Sequence, residues 1–390
     1  MSKCPYCGNN PVPHWLYWYN ESLNILLTPL RQQILYNPLT AWLKRRNLGN
    51  ALSLAAARLL QDVGMVRLES DRTQCKIDRA AVLWEEAERR GIAMRQLVLW
   101  GKPLDVYWAA KSGRQLVFSG LPRPAGSHNR WLDLMDDKWL LKQRLAACGL
   151  PVPPGRAATS LAQARRIFTG LQKPCIVKPR AGSRGRHSTT YVFTEEELAK
   201  AYRVAKQLCH WVMVEEHLPG PVYRATVINF ALAGVLRGDP PKVIGDGERT
   251  IAELARRQNR EPHAGVKDII LDSRTERFLS RRKLSLSSVP AAGQEVELTE
   301  KIGVSYGGSS SEDYEICHPD NRDLFIRAAR ALDDPIVGFD FIIPDISQSW
   351  RTQRCGFIEA NSLPFINLHH NPLHGKPRNA AALIWQMMGM

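Results

Sequence analysis

Apolar and polar residues repeat with two different periods along this chain, which predicts a mixture of helices and strands. Leucine and alanine interspersed with arginine and lysine predict a helix across residues 28–64, punctuated by Gly49 and Gly64. A second helix is predicted at residues 78–90, where Gly91 follows the last turn. Apolar and β-branched segments predict strands at residues 94–100, 105–109 and 115–118, the last two paired as a hairpin.

A stretch rich in proline, glycine and serine, residues 121–127, separates this part from the rest of the chain. Beyond it, helices are predicted at residues 136–148, 160–171 and 195–207. Ser160 is the expected N-cap of the second, and Thr194 with Glu197 forms a capping box for the third. Strands are predicted at residues 175–179, 191–193, 211–215, 223–230, 337–343 and 356–359. This alternation indicates an α/β or α+β fold, with an N-terminal domain over residues 1–125 and a larger domain over residues 126–390.

Composition and charge narrow the class of protein. The hydrophobic fraction of 44% and the charged fraction of 23% are ordinary for a folded soluble chain. No apolar run is long enough for a membrane span, and residues 1–8 lack signal-peptide character, so we expect a cytoplasmic protein without a membrane partner. The net charge of +15 attracts polyanions, among them nucleic acid, acidic lipid or a nucleotide with an acidic substrate. Basic residues are not clustered among aromatic residues, so we expect no nucleic-acid partner. Oligomerisation is left open.

Two of the eight cysteines, Cys4 and Cys7, form half of a zinc knuckle. A tetrahedral zinc site needs four ligands, which His14 and Cys75 could supply. The alternative is a pair of ordinary thiols. The other cysteines are too dispersed to indicate a disulfide framework.

The strongest chemical signal lies in two predicted strands near the C-terminus. Asp340 lies in the apolar segment 337–343, and Glu359 and Asn361 follow in the next strand. Residues two apart on a strand point to the same face, so the Glu359 and Asn361 side chains converge. Such oxygen groups suit Mg²⁺, which binds carboxylates together with substrate phosphates. The alternative is a strand with a charged face and a turn asparagine.

A second signal is Lys178 at the end of a short buried strand, followed by the basic glycine-rich residues 180–187. Such a loop can direct backbone N–H groups at phosphates, although it lacks the Gly-Lys-Ser/Thr ending of a Walker loop. A third is Glu215 and Glu216 at the end of a strand and before a tight turn, where backbone groups can meet an adenine edge. A mobile turn and a hairpin with exposed glutamates are the structural alternatives.

The order of these segments resembles the ATP-grasp superfamily. The order is Asp-Asp-Lys138, Val-Lys178-Pro, the glycine-rich loop, Val-Glu-Glu, Asp340 and Glu-x-Asn361. Residues 245–254, with the pattern Gly-Asp-Gly-x-x-Thr-Ile-x-Glu-Leu, and residues 304–308, Val-Ser-Tyr-Gly-Gly, resemble the ATP-grasp module of cyanophycin synthetases. The module that completes glutathione in bifunctional glutathione synthetases is equally similar. The resemblance covers about residues 130–380.

This resemblance implies two α/β subdomains that sandwich ATP, a mobile lid at about residues 160–225, and a partly helical N-terminal domain. It assigns the phosphates to Lys138, Lys178, Gly182, Ser183 and Gly185, and the adenine to Glu215, Glu216 and Leu218. It assigns the metal to Asp340, Glu359 and Asn361, the reacting phosphoryl group to Arg224 and Arg237, and the acceptor site to Ser305, Gly307 and Gly308. The chain departs from the family pattern at Val222, at Phe365 and at His187, which stands where a glycine is usual.

The function that the resemblance implies is ligation of a carboxylate to an amine through an acylphosphate, with ATP and Mg (or Mn) and release of ADP. No Gly-Lys-Thr loop of a second ATPase module occurs in the sequence, so one kind of amide bond is expected, with an amino acid or small peptide as substrate. Glutathione-synthetase-like or peptide-modifying ligation is the alternative. A non-catalytic nucleotide- or zinc-binding protein is the alternative of another class.

Overall fold

The chain is described by a computed structural model that covers residues 4, 6–7, 11–37, 48–127, 131, 134–182, 185–261 and 265–390. No helix within these ranges is long and apolar enough to cross a membrane. Helices and strands alternate throughout, as the sequence predicts.

The described residues of the N-terminal part form three α-helices and four strands. They are α1 (His14–Leu35), α2 (Leu48–Asp62), β1 (Val66–Glu69), α3 (Asp78–Arg89), β2 (Ala93–Leu99), β3 (Lys102–Lys111) and β4 (Arg114–Ser119). The strands form one antiparallel sheet in the order β1-β2-β3-β4. The predicted helix 28–64 is wrong at its start, because α1 begins at His14, and at residues 36–37, because α1 ends at Leu35. Its N-cap position is Pro13, which makes no side-chain cap, so the sequence carries no start signal there.

The middle part begins with helix α4 and builds a second four-stranded sheet. Its elements are α4 (Lys138–Ala147), β5 (Gly155–Ala158), α5 (Leu161–Thr169), β6 (Cys175–Pro179), β7 (Thr189–Val192), α6 (Glu195–Lys206) and β8 (Val212–Glu216). The strand order is β5-β8-β6-β7. Ser160 caps α5 and Thr194 with Glu197 forms the capping box of α6, as predicted. Apolar side chains of α5 and α6, among them Phe168 and Leu198, pack onto the sheet.

The C-terminal part contains the largest sheet. Its elements are β9 (Val222–Ile228), β10 (Ala231–Asp239), β11 (Lys242–Ile244), α7 (Ile251–Arg260), α8 (Ser273–Ser280), β12 (Glu295–Glu297), β13 (Ser309–Glu312), α9 (Pro319–Leu332), β14 (Ile336–Ile342), β15 (Gly356–Asn361), α10 (Asn367–His370), β16 (His374–Gly375) and α11 (Ala380–Met387). Six strands pair in the order β15-β14-β9-β10-β13-β16, while β11 and β12 form a separate pair. One face of the six-stranded sheet packs on α9, where Phe325 meets Phe341 and Phe357. The opposite face carries the paired residues Arg224 and Asp340, and its residues Ile228 and Ile336 pack against the N-terminal part.

The N-terminal and C-terminal parts share one apolar core. Trp385 of α11 is fully buried among residues of α3 and of the first sheet, and its indole N–H donates to the carbonyl of Leu83 at 2.9 Å. Ile228 and Ile336 from the large sheet join the same cluster. The proposed division near residue 125 therefore runs across a continuous core.

Arg123, in the proline-rich stretch after β4, is a polar connection between these parts. Its guanidinium forms an ion pair with the fully buried carboxylate of Asp334 and donates to the carbonyl of Ile336 at 2.8 Å. Burial raises the pKa of Asp334, against the attraction of Arg123 and a hydrogen bond from the Ile336 N–H. The positive charge of Arg123 thus offsets the free-energy cost of burying the Asp334 carboxylate.

Replacing Arg123 with alanine should lower the free energy of unfolding by about 3–5 kcal/mol, because a buried charge loses its partner. The pKa of Asp334 should rise further in this variant, so the folded state would hold a proton that the unfolded state releases. Stability then falls as pH rises, and the deficit should be larger at about pH 7 than at about pH 4. Urea unfolding at both pH values measures this. Arg114→Ala, which removes an exposed side chain bonded to the Gly389 carbonyl, is the matched control. An equal, small deficit in both variants would contradict the expectation.

Candidate active site

Two lysines and one glutamate form a buried charged group between α4, β6 and β8. Lys142 and Lys178 each make an ion pair with one carboxylate oxygen of Glu215, and all three side chains are less than a tenth exposed. Burial raises the pKa of Glu215, but the two ammonium groups outweigh burial and lower the pKa to about 2. Burial lowers the pKa of Lys142, with the attraction of Glu215 opposing. The group therefore carries an ionised carboxylate that is already paired within the protein.

Helix α4 carries Lys142 and a second buried lysine, Lys138. Lys138 and Lys142 are four residues apart, so they lie on one face of the helix, and both are buried. Asp137 caps the helix through the N–H groups of Trp139 and Leu140 and pairs with Arg180, at the start of the glycine-rich loop. Lys142 was not among the residues predicted from the sequence. The available signal was a lysine four residues after Lys138, and therefore on the same side of the helix.

The predicted metal ligands lie on two adjacent strands of the large sheet. Asp340 on β14 is paired in register with Glu359 on β15 and with Arg224 on β9. Arg224 Nε lies 3.6 Å from Asp340 Oδ1, and Lys138 Nζ lies 3.6 Å from Glu359 Oε1. Lys178 also helps to lower the pKa of Glu359, so the charges of both lysines predicted to bind phosphate reach this carboxylate. Five charged side chains from four strands and one helix thus meet at one place.

The two carboxyl groups have different proton affinities. Burial raises the pKa of Asp340 to about 6, assisted by the nearby Glu359 charge and opposed by Arg224 and Lys138. Burial also disfavours the charged form of Glu359, but Lys138 and Lys178 outweigh it and lower its pKa. A cation placed between the two carboxylates would relieve both the burial cost and their mutual repulsion.

The donor set fits a magnesium ion. Glu359 and Asn361 alternate with the buried Ala360, so their half-buried side chains share a face of β15. Asp340 lies directly across from Glu359, which gives oxygen donors from two strands. Two carboxylates and an amide oxygen are hard ligands that leave coordination positions for phosphate and water. The residues present therefore suit magnesium held jointly with a nucleotide.

The glycine-rich loop lies against two other segments of the chain. Gly182 and Gly185 have φ of +69° and +74°, a left-handed conformation that glycine tolerates. A Cβ on Gly182 would come within 2.5 Å of the Glu21 carboxyl group of α1. The carbonyl of Gly185 accepts a hydrogen bond from Lys301 Nζ at 2.6 Å. Ser183, predicted to bind phosphate, lies outside the described residues.

Three other predicted residues lie apart from the lysines and carboxylates. Glu216 points away from Glu215 and pairs with Arg354, while Leu218 is buried.

Arg237 is paired in register with Tyr223, whose ring is in the core, whereas Arg224 is paired with Leu236 and Asp340. Since successive residues on a strand face opposite sides, Arg237 lies on the other face of the sheet from Arg224. Its guanidinium instead contacts Asp239 at 2.8 Å. The two arginines therefore do not share a face of the sheet, and the role predicted for Arg237 stays a prediction.

A basic cavity of about 430 Å³ lies beside the glycine-rich loop, and Ser305 is in its wall. The basic residues that line this cavity are Arg186, Lys267, Arg274, Arg277, Arg281 and Lys301. Gly307 and Gly308 are not in that wall. A Cβ on them would come within 2.6 Å of Ile269 and 2.2 Å of the Asp239 carbonyl, so close packing accounts for both glycines.

A separate group of cysteine and histidine side chains, of the types that can hold a metal ion, connects residues 4–14 with the end of the glycine-rich loop. This Cys/His cluster consists of Cys4, Cys7, His14 and His187, whose ligand atoms all lie within 4.8 Å of one another. His14 is where the sequence predicted a further ligand, but Cys75 is not, since its sulfur lies near the Tyr107 hydroxyl in the N-terminal core. The fourth member is His187. Sequence spacing could not reveal it, because the fold alone brings residue 187 to residue 7.

Comparison with known proteins gives relatives over most of this chain. The chain is 29% identical to the cyanophycin synthetase of Trichormus variabilis over 362 residues, which are 87% of this chain and 40% of that protein. It is 32% identical to the bifunctional glutathione biosynthesis protein of Mannheimia succiniciproducens over 283 residues, 68% of this chain and 36% of that protein. The chain thus spans about two fifths of the length of these relatives. No protein-family model matches it.

The fold has a counterpart among solved structures. The bifunctional glutathione synthetase from Pasteurella multocida superposes with a TM-score of 0.58 at 25% sequence identity, over 80% of this chain and 43% of that chain. The predicted fold class and the predicted resemblance are thereby confirmed.

Proposed function

We infer that this chain, which has the ATP-grasp fold and is related in sequence to cyanophycin and glutathione synthetases, is an ATP-dependent ligase that forms an amide bond. The observation that carries this inference is the meeting of Lys138, Lys178 and Arg224 with Asp340 and Glu359. A cluster of three cations and two carboxylates suits a nucleoside triphosphate and its magnesium ion. Phosphoryl transfer to a substrate carboxylate requires no nucleophilic side chain of the protein.

In this proposal the basic side chains contact the phosphates, and the acidic side chains hold the metal. Lys138 and Lys178 would hold the phosphates of ATP, and Arg224 would stabilise charge on the phosphoryl group as it moves to the substrate carboxylate. Magnesium, held by Asp340, Glu359 and Asn361, would supply neutralisation of the phosphate oxygens. The acylphosphate so formed would then be attacked by an amine, with phosphate as the leaving group.

Glu215 has a positioning role in this proposal. Its two ion pairs hold Lys178 in the cleft and connect it to Lys142 on α4. Because the glutamate is fully buried and ionised, the lysines keep their place before the nucleotide arrives. A site arranged in advance loses little free energy to reorganisation when charge develops.

The substrate class follows from the basic cavity. Lys267, Arg274, Arg281 and Lys301 enter its wall, and Ser305 offers a hydroxyl. We assign the acceptor site to this cavity and expect an amino acid or small peptide with more than one carboxylate, because opposite charge raises its local concentration. The described residues build one nucleotide site, and that site would form one kind of amide bond.

The proposal predicts one ADP and one phosphate for each amide bond formed. The purified chain, given ATP, magnesium and pairs of amino acids or γ-glutamyl peptides, should yield a single condensation product by mass spectrometry. Acidic acceptors should react at lower concentration than their amidated counterparts, and removal of magnesium by chelation should stop turnover. AMP and pyrophosphate as products would contradict the proposal, because they indicate adenylation of the carboxylate.

A further inference from the structure

We propose that the Cys/His cluster is a structural zinc site that fastens the N-terminal segment to the glycine-rich loop. The cluster lies outside the lysine–carboxylate site and plays no part in the chemistry assigned above. Its four members come from two places in the chain, residues 4–14 and residue 187.

The ligand spacing suits a single ion. Cys7 Sγ lies 3.2 Å from His14 Nε2 and 3.3 Å from His187 Nε2, and Cys4 Sγ lies 3.6 Å from His187 Nε2. Tetrahedral zinc, with bonds of about 2.3 Å to sulfur and about 2.0 Å to nitrogen, places sulfur and nitrogen about 3.5 Å apart. Zinc could therefore enter with small side-chain adjustments and no change of the backbone.

The surroundings orient the His187 ring for metal binding. Its Nδ1 lies 2.8 Å from the carbonyl oxygen of Val204 on α6, so Nδ1 carries the hydrogen and donates it. The lone pair is then on Nε2, the atom that faces both sulfurs. Metal-binding histidines are commonly held in this way by a carbonyl acceptor on the far ring nitrogen.

The backbone supports the same arrangement. The Cys7 N–H donates to the Cys4 carbonyl at 3.2 Å, which closes a tight turn between the two thiols. The His187 N–H donates to the Tyr6 carbonyl at the same distance, so the loop and the turn are joined beside the cluster. His187 has φ of +52°, a conformation that non-glycine residues seldom adopt. Sparsely populated backbone conformations of this kind occur at ligand-holding residues, in accord with a role for this imidazole in the cluster.

Ligand chemistry selects zinc among common metals. Two sulfurs and two imidazole nitrogens in a tetrahedral arrangement are typical of zinc. With four protein ligands no position is left for water or substrate, which is the pattern of structural zinc. The proposed site is therefore closed and non-catalytic.

The site would connect distant segments around the active site. Two residues of helix α1 already contact the middle part of the chain. The Tyr17 hydroxyl accepts a hydrogen bond from Arg186 at the end of the glycine-rich loop, and the Ser22 hydroxyl accepts one from the N–H of His210, just before β8. Tyr6 and Cys7 also line the basic cavity. Zinc would thus hold both the end of the glycine-rich loop and one wall of the acceptor cavity.

The test measures metal rather than activity, so it is independent of the ligase assignment. The full chain, purified without chelators or with zinc added and then gel-filtered, should contain one zinc ion per chain by atomic emission. Cobalt added to chelated protein should give the thiolate-to-cobalt absorption of a tetrahedral sulfur–nitrogen site. No zinc and no such absorption in the unaltered chain would overturn the proposal without any variant.

Variants then identify the ligands. Cys7→Ser and His187→Ala should each lower retained zinc at least tenfold, and Cys75→Ser, outside the cluster, should retain the full amount. Zinc loss should also expose residues 4–14 to limited proteolysis before the rest of the chain is cut. Stoichiometric zinc in a correctly folded His187→Ala protein would remove His187 from the site and refute the proposed link.

Discussion

Replacing Lys178 with alanine is expected to lower the rate of phosphate release by about 10²–10³-fold, the usual effect of removing one donor that stabilises developing charge. The ammonium of Lys178 pairs with Glu215 and acts on Glu359, so its loss removes positive charge from the point where the nucleotide and the metal would meet. Steady-state assays of phosphate, with thermal unfolding of the same preparation, measure the change.

The structure offers a matched control for this lysine. Lys200 is an exposed residue on α6 of the same subdomain, and Lys200→Ala should leave the rate within about twofold, since surface charges contribute little. Glu215 keeps its partner Lys142 in the Lys178→Ala protein, so the fold should survive. Full activity of folded Lys178→Ala would exclude this lysine from the site.

Replacing Asp340 with asparagine should have an effect of similar size, about 10²–10³-fold in kcat, and should raise the magnesium concentration needed for half-maximal rate. The substitution preserves shape but removes a charge that burial already disfavours, so the variant should fold at least as well as the parent. A magnesium titration of initial rates separates the two effects.

Asp323 provides the comparison for this carboxylate. It is exposed on α9, and Asp323→Asn should leave both the rate and the magnesium dependence unchanged. An Asp340→Asn enzyme with unaltered magnesium dependence would show that the aspartate does not help to bind the metal.

Local patterns along the chain predicted much of this fold. The capping box of Thr194 and Glu197 and the Ser160 cap correctly begin their helices, because capping depends on residues three positions apart. Helix α1 lacks such a signal and has no buried residue, so neither a cap nor a buried stripe marked its beginning.

The site was predictable where one strand or one motif determines it, and less so where strands must pair. Glu359 and Asn361 share a face by alternation alone, which sequence shows directly. The register of β10 against β9 separates Arg237 from Arg224, and no local pattern contains that register. Lys142 and His187 were missed for the same reason, since their partners Glu215 and Cys7 are far away in sequence.

The burial of Trp385 beside Leu83 bears on how such a chain could change over evolutionary time. Helix α11 and the first sheet cover each other, so exchanging residues 1–125 for an unrelated segment by recombination would leave the apolar side of α11 facing water. A graft that succeeds must bring its own complementary surface. The C-terminal part and its N-terminal neighbour are therefore expected to have been inherited together, with compensating changes at this contact, rather than exchanged as independent units.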